Sequence, residues 1–392
     1  MRIVPWLGAA LVIACAGLSP AWADTACGPA TVPLPAVTAA AKALQLVGGK
    51  HEDMDTDVSA DERKALQAFK QALVDGVEAR TACAPASASA ATLEKDLATT
   101  LAAAPAEKPT PDSGPAPGFG EELRVGVTGT PARPGLMLVR LNFAIPCGDD
   151  NLLFGYRLEN GQWKRVLRWQ SPDYDSIADA LGAPFNVLPL ADGRIALTHG
   201  TPWCTSTWSK FGFDLIQPGE GATPQRTIFH LDHDYRLDQD LSLTARPDGF
   251  ELRAEVGMLD TDILMRQGIF RYRVAGDNVE RIQPAARNGR DFVDEWLQIE
   301  EPLARAWSDP PAAAEIIKAR ADLLKDNPSP AYGVVRACKG EAGRYQVEIN
   351  LGDSGPDLHR YALLRQEANG FTMLRFGAKA DPACTGPDLM KH

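Results

Sequence analysis

A strand motif with large apolar residues at alternate positions occurs four times along this chain: Phe154-Gly-Tyr-Arg-Leu, Phe211-Gly-Phe-Asp-Leu, Phe270-Arg-Tyr-Arg-Val and His359-Arg-Tyr-Ala-Leu. The first three copies start 57 and 59 residues apart, and the fourth follows after 89. Alternation at period two buries one face of a strand. Recurrence at a fixed long period means that one supersecondary unit is reused. Each copy runs through a turn into a further short strand, as Asn160-Gly161 leads to Trp163 and Gly276-Asp277 leads to Val279. Two more apolar runs precede each copy: 123–127 and 136–143, 185–190 and 194–198, 241–245 and 249–256, 332–335 and 344–350. The expected fold is therefore mainly β, with four repeated four-stranded antiparallel units in a propeller-like arrangement. The fourth unit is displaced by a helical insertion, residues 292–327, in which Asp309-Pro310-Pro311 breaks two helical stretches apart. The competing architecture is a three-unit β domain followed by a separate C-terminal α+β domain.

The rest of the chain divides by composition. Residues 1–23 carry Arg2, an apolar run and the exit Ala21-Trp22-Ala23, which together read as a secretory signal peptide. A minor alternative is a lipoprotein anchored at Cys15. Residues 24–104 are alanine-rich and helical in pattern. Ser59-Ala60-Asp61-Glu62 is a capping box there, followed at helical spacing by Leu66, Phe69, Leu73 and Val77. Residues 105–118 form a proline-rich linker. Three β units occupy 119–291, the insertion 292–327, and the fourth unit 328–392.

Removing the signal leaves six cysteines, an even number, which in an exported chain reads as disulfides. They fall into three pairs along the sequence: Cys27 with Cys83, Cys147 with Cys204, and Cys338 with Cys384. No Cys-x-x-Cys spacing supports zinc or thiol redox chemistry. The formal net charge is −11. Such an acidic balance argues against a nucleic-acid partner, and no segment after the signal is apolar enough to cross a membrane. The expected location is the periplasm or the extracellular space.

In a repeated four-stranded unit, the loop between the second and third strands recurs at one end. That end gathers the candidate ligand-binding residues His199, Trp203, Trp208, Tyr235, Asp260, Asp262, Trp296 and Asp353, on loops held by a rigid scaffold. The acidic stretch with Asp232, Asp234, Asp238 and Asp240 is a candidate calcium site, since oxygen ligands suit that ion. His230 and His233, three apart on a strand, face opposite sides and do not suit zinc. No cofactor is required by the pattern. Gly352-Asp353-Ser354-Gly355 is close to the nucleophile signature of chymotrypsin-like proteases, but Pro356 stands where the next glycine belongs, so the stretch reads as turn chemistry.

These features predict an exported β-repeat scaffold that binds a sugar, peptide or protein ligand. The main alternative is a glycan hydrolase drawing on loop carboxylates such as Asp260 with Asp294. A purely structural role is the third reading.

Overall fold

Each repeat folds as a separate antiparallel sheet made from consecutive strands. The first sheet contains β2 (Glu121–Gly129), β3 (Leu136–Ile145), β4 (Gly148–Glu159) and β5 (Gln162–Gln170), with the two residues of β1 (Ala104–Pro105) adding parallel to β2. The second contains β6 (Gly182–Pro189), β7 (Ile195–Gly200), β8 (Trp208–Gln217) and β9 (Arg226–Arg236). The third contains β10 (Ser242–Arg246), β11 (Gly249–Gly257), β12 (Met265–Ala275) and β13 (Asn278–Arg281). The fourth contains β14 (Ala331–Ala337), β15 (Arg344–Asn350), β16 (His359–Glu367) and β17 (Gly370–Gly377). Every quoted copy of the motif lies on the third strand of its sheet, as the repeat predicts. The hairpin after β4 turns at Asn160 and Gly161, with φ of 52° and 80°. That left-handed pair matches the twist of the flanking strands and suits an Asn-Gly sequence.

The structure, a computed structural model, describes residues 33–48, 57–105, 118–130, 135–146, 148–180, 182–201, 208–221, 223–236, 241–260, 263–282, 286–325, 330–351, 359–368 and 370–390. The expected signal segment with Cys15, and Cys27, Cys147, Trp203, Cys204, Asp238, Asp240, Asp262, Asp353 and Ser354, lie outside the described residues.

The first three sheets stack face to face in chain order. Val139, Leu141, Phe143 and Phe154 of the first sheet pack with Leu44, Phe69, Leu73 and Leu97 of the N-terminal helices. The opposite face of that sheet, with Leu136, Leu138 and Leu153, packs with Ile195, Leu197 and Ile216 of the second. The second sheet in turn lays Phe211, Phe213 and Leu215 against Phe250, Leu252 and Phe270 of the third. There Phe213 and Phe250 stack with ring centroids 4.4 Å apart. Each such side chain removed from water contributes about 1.5–3 kcal/mol. Because β3 is covered on both sides, it reads as a nearly continuous apolar run, Leu-Met-Leu-Val-Arg-Leu-Asn-Phe-Ala-Ile. Among the described residues, no hydrophobic cluster contains side chains of both the first and the fourth sheet.

Helices cover the first sheet and fill the joint before the fourth. Helices α1 (Pro35–Gly48), α2 (Ala60–Cys83) and α3 (Ala90–Leu101) form the N-terminal layer. The capping box is formed: Ser59 Oγ accepts from the Glu62 amide at 3.2 Å, and the Ser59 amide donates to Glu62 Oε2 at 2.7 Å. The apolar faces of these helices close on the sheet rather than on one another alone, so they share its core. Glu94 of α3 also accepts from the Val127 amide at 2.7 Å, occupying the outer side of β2. Helices α4 (Gly289–Gln298), α5 (Glu301–Ala306) and α6 (Ala313–Leu324) constitute the insertion. Their Phe292, Trp296 and Ile316 share a core with Val347, Leu364 and Phe376 of the fourth sheet.

Cys338 and Cys384 form the expected disulfide. Cys83 is also disulfide-bonded, and its expected partner Cys27 is among the residues not described. Among the described residues, no helix is long and apolar enough to cross a membrane.

Candidate functional site

The seam between the first and second sheets brings polar side chains together from the buried core out to solvent. Its centre is Asp214, on β8. In sequence it alternates with Phe213 and Leu215, so it faces away from the third sheet, toward β5 of the first. Three ring nitrogens converge on its carboxylate. Trp169 Nε1 donates to Oδ2 at 3.0 Å, His199 Nε2 lies 3.3 Å from Oδ2, and His230 Nδ1 lies 2.7 Å from Oδ1. The far nitrogen of His230, Nε2, is 3.1 Å from Asp232 Oδ2. The chain of contacts thus runs from the buried His199, 1 % exposed, out to His230 and Asp232, whose side chains are 51 % and 62 % exposed.

The ring of His199 is held on both sides. Trp169 stacks on it, with centroids 5.3 Å apart and planes 29° from parallel. Beneath it lies Gly212, cross-strand from His199 in the ladder. A β-carbon on Gly212 would stand 1.9 Å from His199 Cε1, so only glycine admits the ring there. With Nε2 committed to Asp214, His199 Nδ1 is buried and has no hydrogen-bond partner among the described residues. Burial by itself raises the Asp214 carboxyl, but hydrogen bonds and charge from His199 and His230 outweigh it, and its pKa falls below the ordinary value. Burial likewise lowers His230, and is outweighed by hydrogen bonds to Asp214 and Asp232, so His230 holds its proton above the usual range.

Beside this chain, the same seam opens into a groove of ≈ 500 Å³. One wall is β5, through Lys164, Arg165, Val166 and Arg168. The other is the turn between β8 and β9, with Gly219, Gly221, Thr223 and Gln225. The turn is fixed to the main chain of the strand by one backbone amide and one side-chain amide. The Gly219 amide donates to the Val166 carbonyl at 2.7 Å, and Gln225 pairs its side-chain amide with the Arg168 backbone, Nε2 donating to the carbonyl at 2.6 Å while Oε1 accepts from the amide. Gln225 thereby substitutes for a neighbouring strand on the edge of β5. Arg168 and Trp169 are consecutive on β5, so their side chains leave opposite faces of the strand, Arg168 on the face of its cross-strand partner Phe154 and Trp169 on that of Leu153, toward Asp214.

The residues singled out from sequence are placed differently from one another. His199 belongs to the seam. Tyr235 is fully buried against Phe211, edge to face at 5.6 Å, in the core between the second and third sheets. Trp296 is fully buried, and its Nε1 donates to the Ala304 carbonyl at 2.9 Å. Asp260 and Asp294 are both buried and both meet Tyr332: its amide donates to Asp260 Oδ2 at 2.6 Å and its hydroxyl to Asp294 Oδ1 at 2.9 Å. Asp294 further accepts from Arg266, Gln298 and the Leu259 amide. These two carboxylates are engaged by protein donors that tie the third sheet to the helices and the fourth sheet. Trp208 lies on β8, and its side chain is not among those described.

Asp232 and Asp234 both lie on β9, opposite Gly212 and Lys210 of β8. His233 sits on the other face from His230, against Phe211 and Phe270. Among the described residues, no group of three or more His, Cys, Asp or Glu side chains is arranged to hold a metal ion.

Asp214 and Trp169 were not singled out as site residues in the sequence. The available signal was Asp214 itself, a carboxylate between Phe213 and Leu215 on a strand whose two faces are both covered. No protein-family model and no curated protein matches this chain, so the seam is read from its own geometry alone.

Proposed function

We propose that this chain is an exported ligand-binding β-repeat scaffold, and that the ligand occupies the seam between the first and second sheets. The observation that carries this reading is the ≈ 500 Å³ groove between β5 and the turn that the Gly219–Val166 and Gln225–Arg168 hydrogen bonds pin to it. A groove of that size falls in the range of about 300–1,000 Å³ typical of small-molecule sites. A preformed wall reduces the ordering cost of binding. Export, to the periplasm or beyond the cell, is supported by the Cys338–Cys384 disulfide and by the N-terminal sequence pattern.

The test is a binding screen of oligosaccharides, peptides and small metabolites against the full chain, read by calorimetry, with Thr223→Trp as the filled-groove variant. The reading requires at least one saturable ligand whose affinity collapses in that variant. A screen without a ligand, or one whose ligands bind the filled variant equally well, removes it. Sugar release from a glycan panel by wild type, abolished by Asp294→Asn, would instead favour the hydrolase alternative.

A further inference from the structure

The groove is cationic in an acidic protein. Its lining carries Lys164, Arg165 and Arg168 against one carboxylate, Glu159, in a chain of net charge −11. We infer that the ligand of this groove presents an oxyanion, a carboxylate or a phosphate, gripped by the Arg168 guanidinium with Lys164 alongside. This inference rests on the reading of the seam as a ligand site and adds the chemical class of the ligand.

The three cations differ in how far they are already satisfied. Arg165 is held in an ion pair by Glu78 of α2. Lys164 stands 3.5 Å from Glu159 with half its side chain exposed, a contact that solvent reduces to little. Arg168 is partly buried, and among the described residues its guanidinium makes one hydrogen bond, from Nη2 to the neutral Gln170 Oε1 at 3.1 Å. It meets no carboxylate among the described residues. A guanidinium carries five N–H donors, so four remain for a guest. Arg266 and Arg271 by contrast meet carboxylates, Asp294 and Glu251, each at 2.7 Å, while Arg320 directs its donors to three backbone carbonyls. Glu220, the acid on the facing turn, pairs with Arg157 at 3.7 Å and does not line the groove.

Position favours recognition as well as charge. Both backbone polar groups of Arg168 are bonded to Gln225, so the side chain leaves from a fixed point. A planar fork launched from a rigid strand matches the two oxygens of a carboxylate or phosphate and prefers them to a spherical anion. Beside the Lys–Arg pair the main chain is open at Gly221, where a β-carbon would meet nothing within 4 Å among the described residues.

The experiment titrates the full chain separately with inorganic phosphate and with acetate, following the amide resonances of Arg168, Gly219 and Gly221. Saturable shifts are expected with at least one of them, weakened about tenfold by Arg168→Gln and weakened by added sodium chloride. Which of the two binds tighter identifies the oxyanion. Should Arg168→Gln fail to fold, Arg168→Lys keeps the charge and removes the fork, and weaker binding is again expected. The inference is overturned if neither anion produces saturable shifts, or if a folded Arg168 variant binds as tightly as wild type. A neutral ligand that fills the groove without any response to either anion overturns this inference while leaving the seam as a binding site. A groove that responds to nothing removes both.

Discussion

Lys70 on α2 places its Nζ 2.7 Å from Asp150 Oδ2 on β4, with the two side chains 3 % and 0 % exposed. The pair fastens the N-terminal helices to the first sheet from inside their shared core. Lys70 also donates to the Ser171 carbonyl at 3.1 Å, and the Tyr174 hydroxyl lies 3.3 Å from the same Asp150 oxygen. Removing one partner strands a charge where water cannot reach it. Lys70→Met is expected to cost about 3–5 kcal/mol in urea unfolding, and Lys70→Met with Asp150→Leu is expected to recover much of that loss. Equal losses in the single and double variants would contradict this account.

Asp150 also sets a pH dependence. Burial pushes its carboxyl up to about 6, against partial opposition from Lys70, Tyr174 and Ser171. A folded-state pKa above the unfolded value of 3.8 means that the native protein holds the proton more tightly. The stabilisation is fully present below 3.8 and is lost as pH rises through about 6. Wild type minus Asp150→Asn, measured by denaturant titration at several pH values, should fall across that window by something on the order of 3 kcal/mol. A difference that is flat or rises with pH would be inconsistent with a buried, proton-retaining carboxyl.

Gly212→Ala tests the clamp on His199. The new β-carbon would stand 1.9 Å from Cε1, so the ring has to leave Trp169 and Asp214. We expect a loss of about 1–3 kcal/mol in thermal or urea unfolding, with a change in tryptophan emission from the unstacked Trp169. In a His199→Ala background the same substitution should cost far less. Full cost in both backgrounds would show that the close approach is not with the ring.

The Cys338–Cys384 bridge closes a sequence separation of 46 residues around the fourth sheet. Cys338→Ala with Cys384→Ala is expected to lower stability by about 2–4 kcal/mol through the less restricted unfolded chain. Its effect should be confined to the fourth sheet and its helices in hydrogen-exchange measurements. Equal deprotection of the first sheet would argue that all four units unfold as one.

The four sheets were legible in the sequence because alternation and repetition are properties of neighbouring residues. Residues 136–143 and 249–256 mark strands that extend only to Ile145 and Gly257. Which face of a strand meets which partner is not written locally. Asp214 looks like an outward residue between Phe213 and Leu215, yet outward on the second sheet means toward the first, where Trp169 waits. Trp296 and Asp294 looked like loop-end groups for a related reason. They sit on α4, and a helix wedged between two sheets buries residues on every side, whatever their polarity. The capping box at Ser59, in contrast, is a contact between residues three apart, and it formed as the sequence predicts.

The two sides of α4 are unlike. Toward the fourth sheet it turns rings, Phe292 near Phe371 at 5.6 Å and Trp296 near Phe376 at 5.3 Å. Toward the third it turns acids, Asp294 to Arg266 at 2.7 Å and Glu295 to Arg281. The joint is therefore greased on one side and bolted on the other. Rings on one side and acids on the other fix the rotation of α4 in the joint. Turning it would set Asp294 and Glu295 against Phe371 and Phe376 and leave the guanidinium groups of Arg266 and Arg281 without their carboxylates.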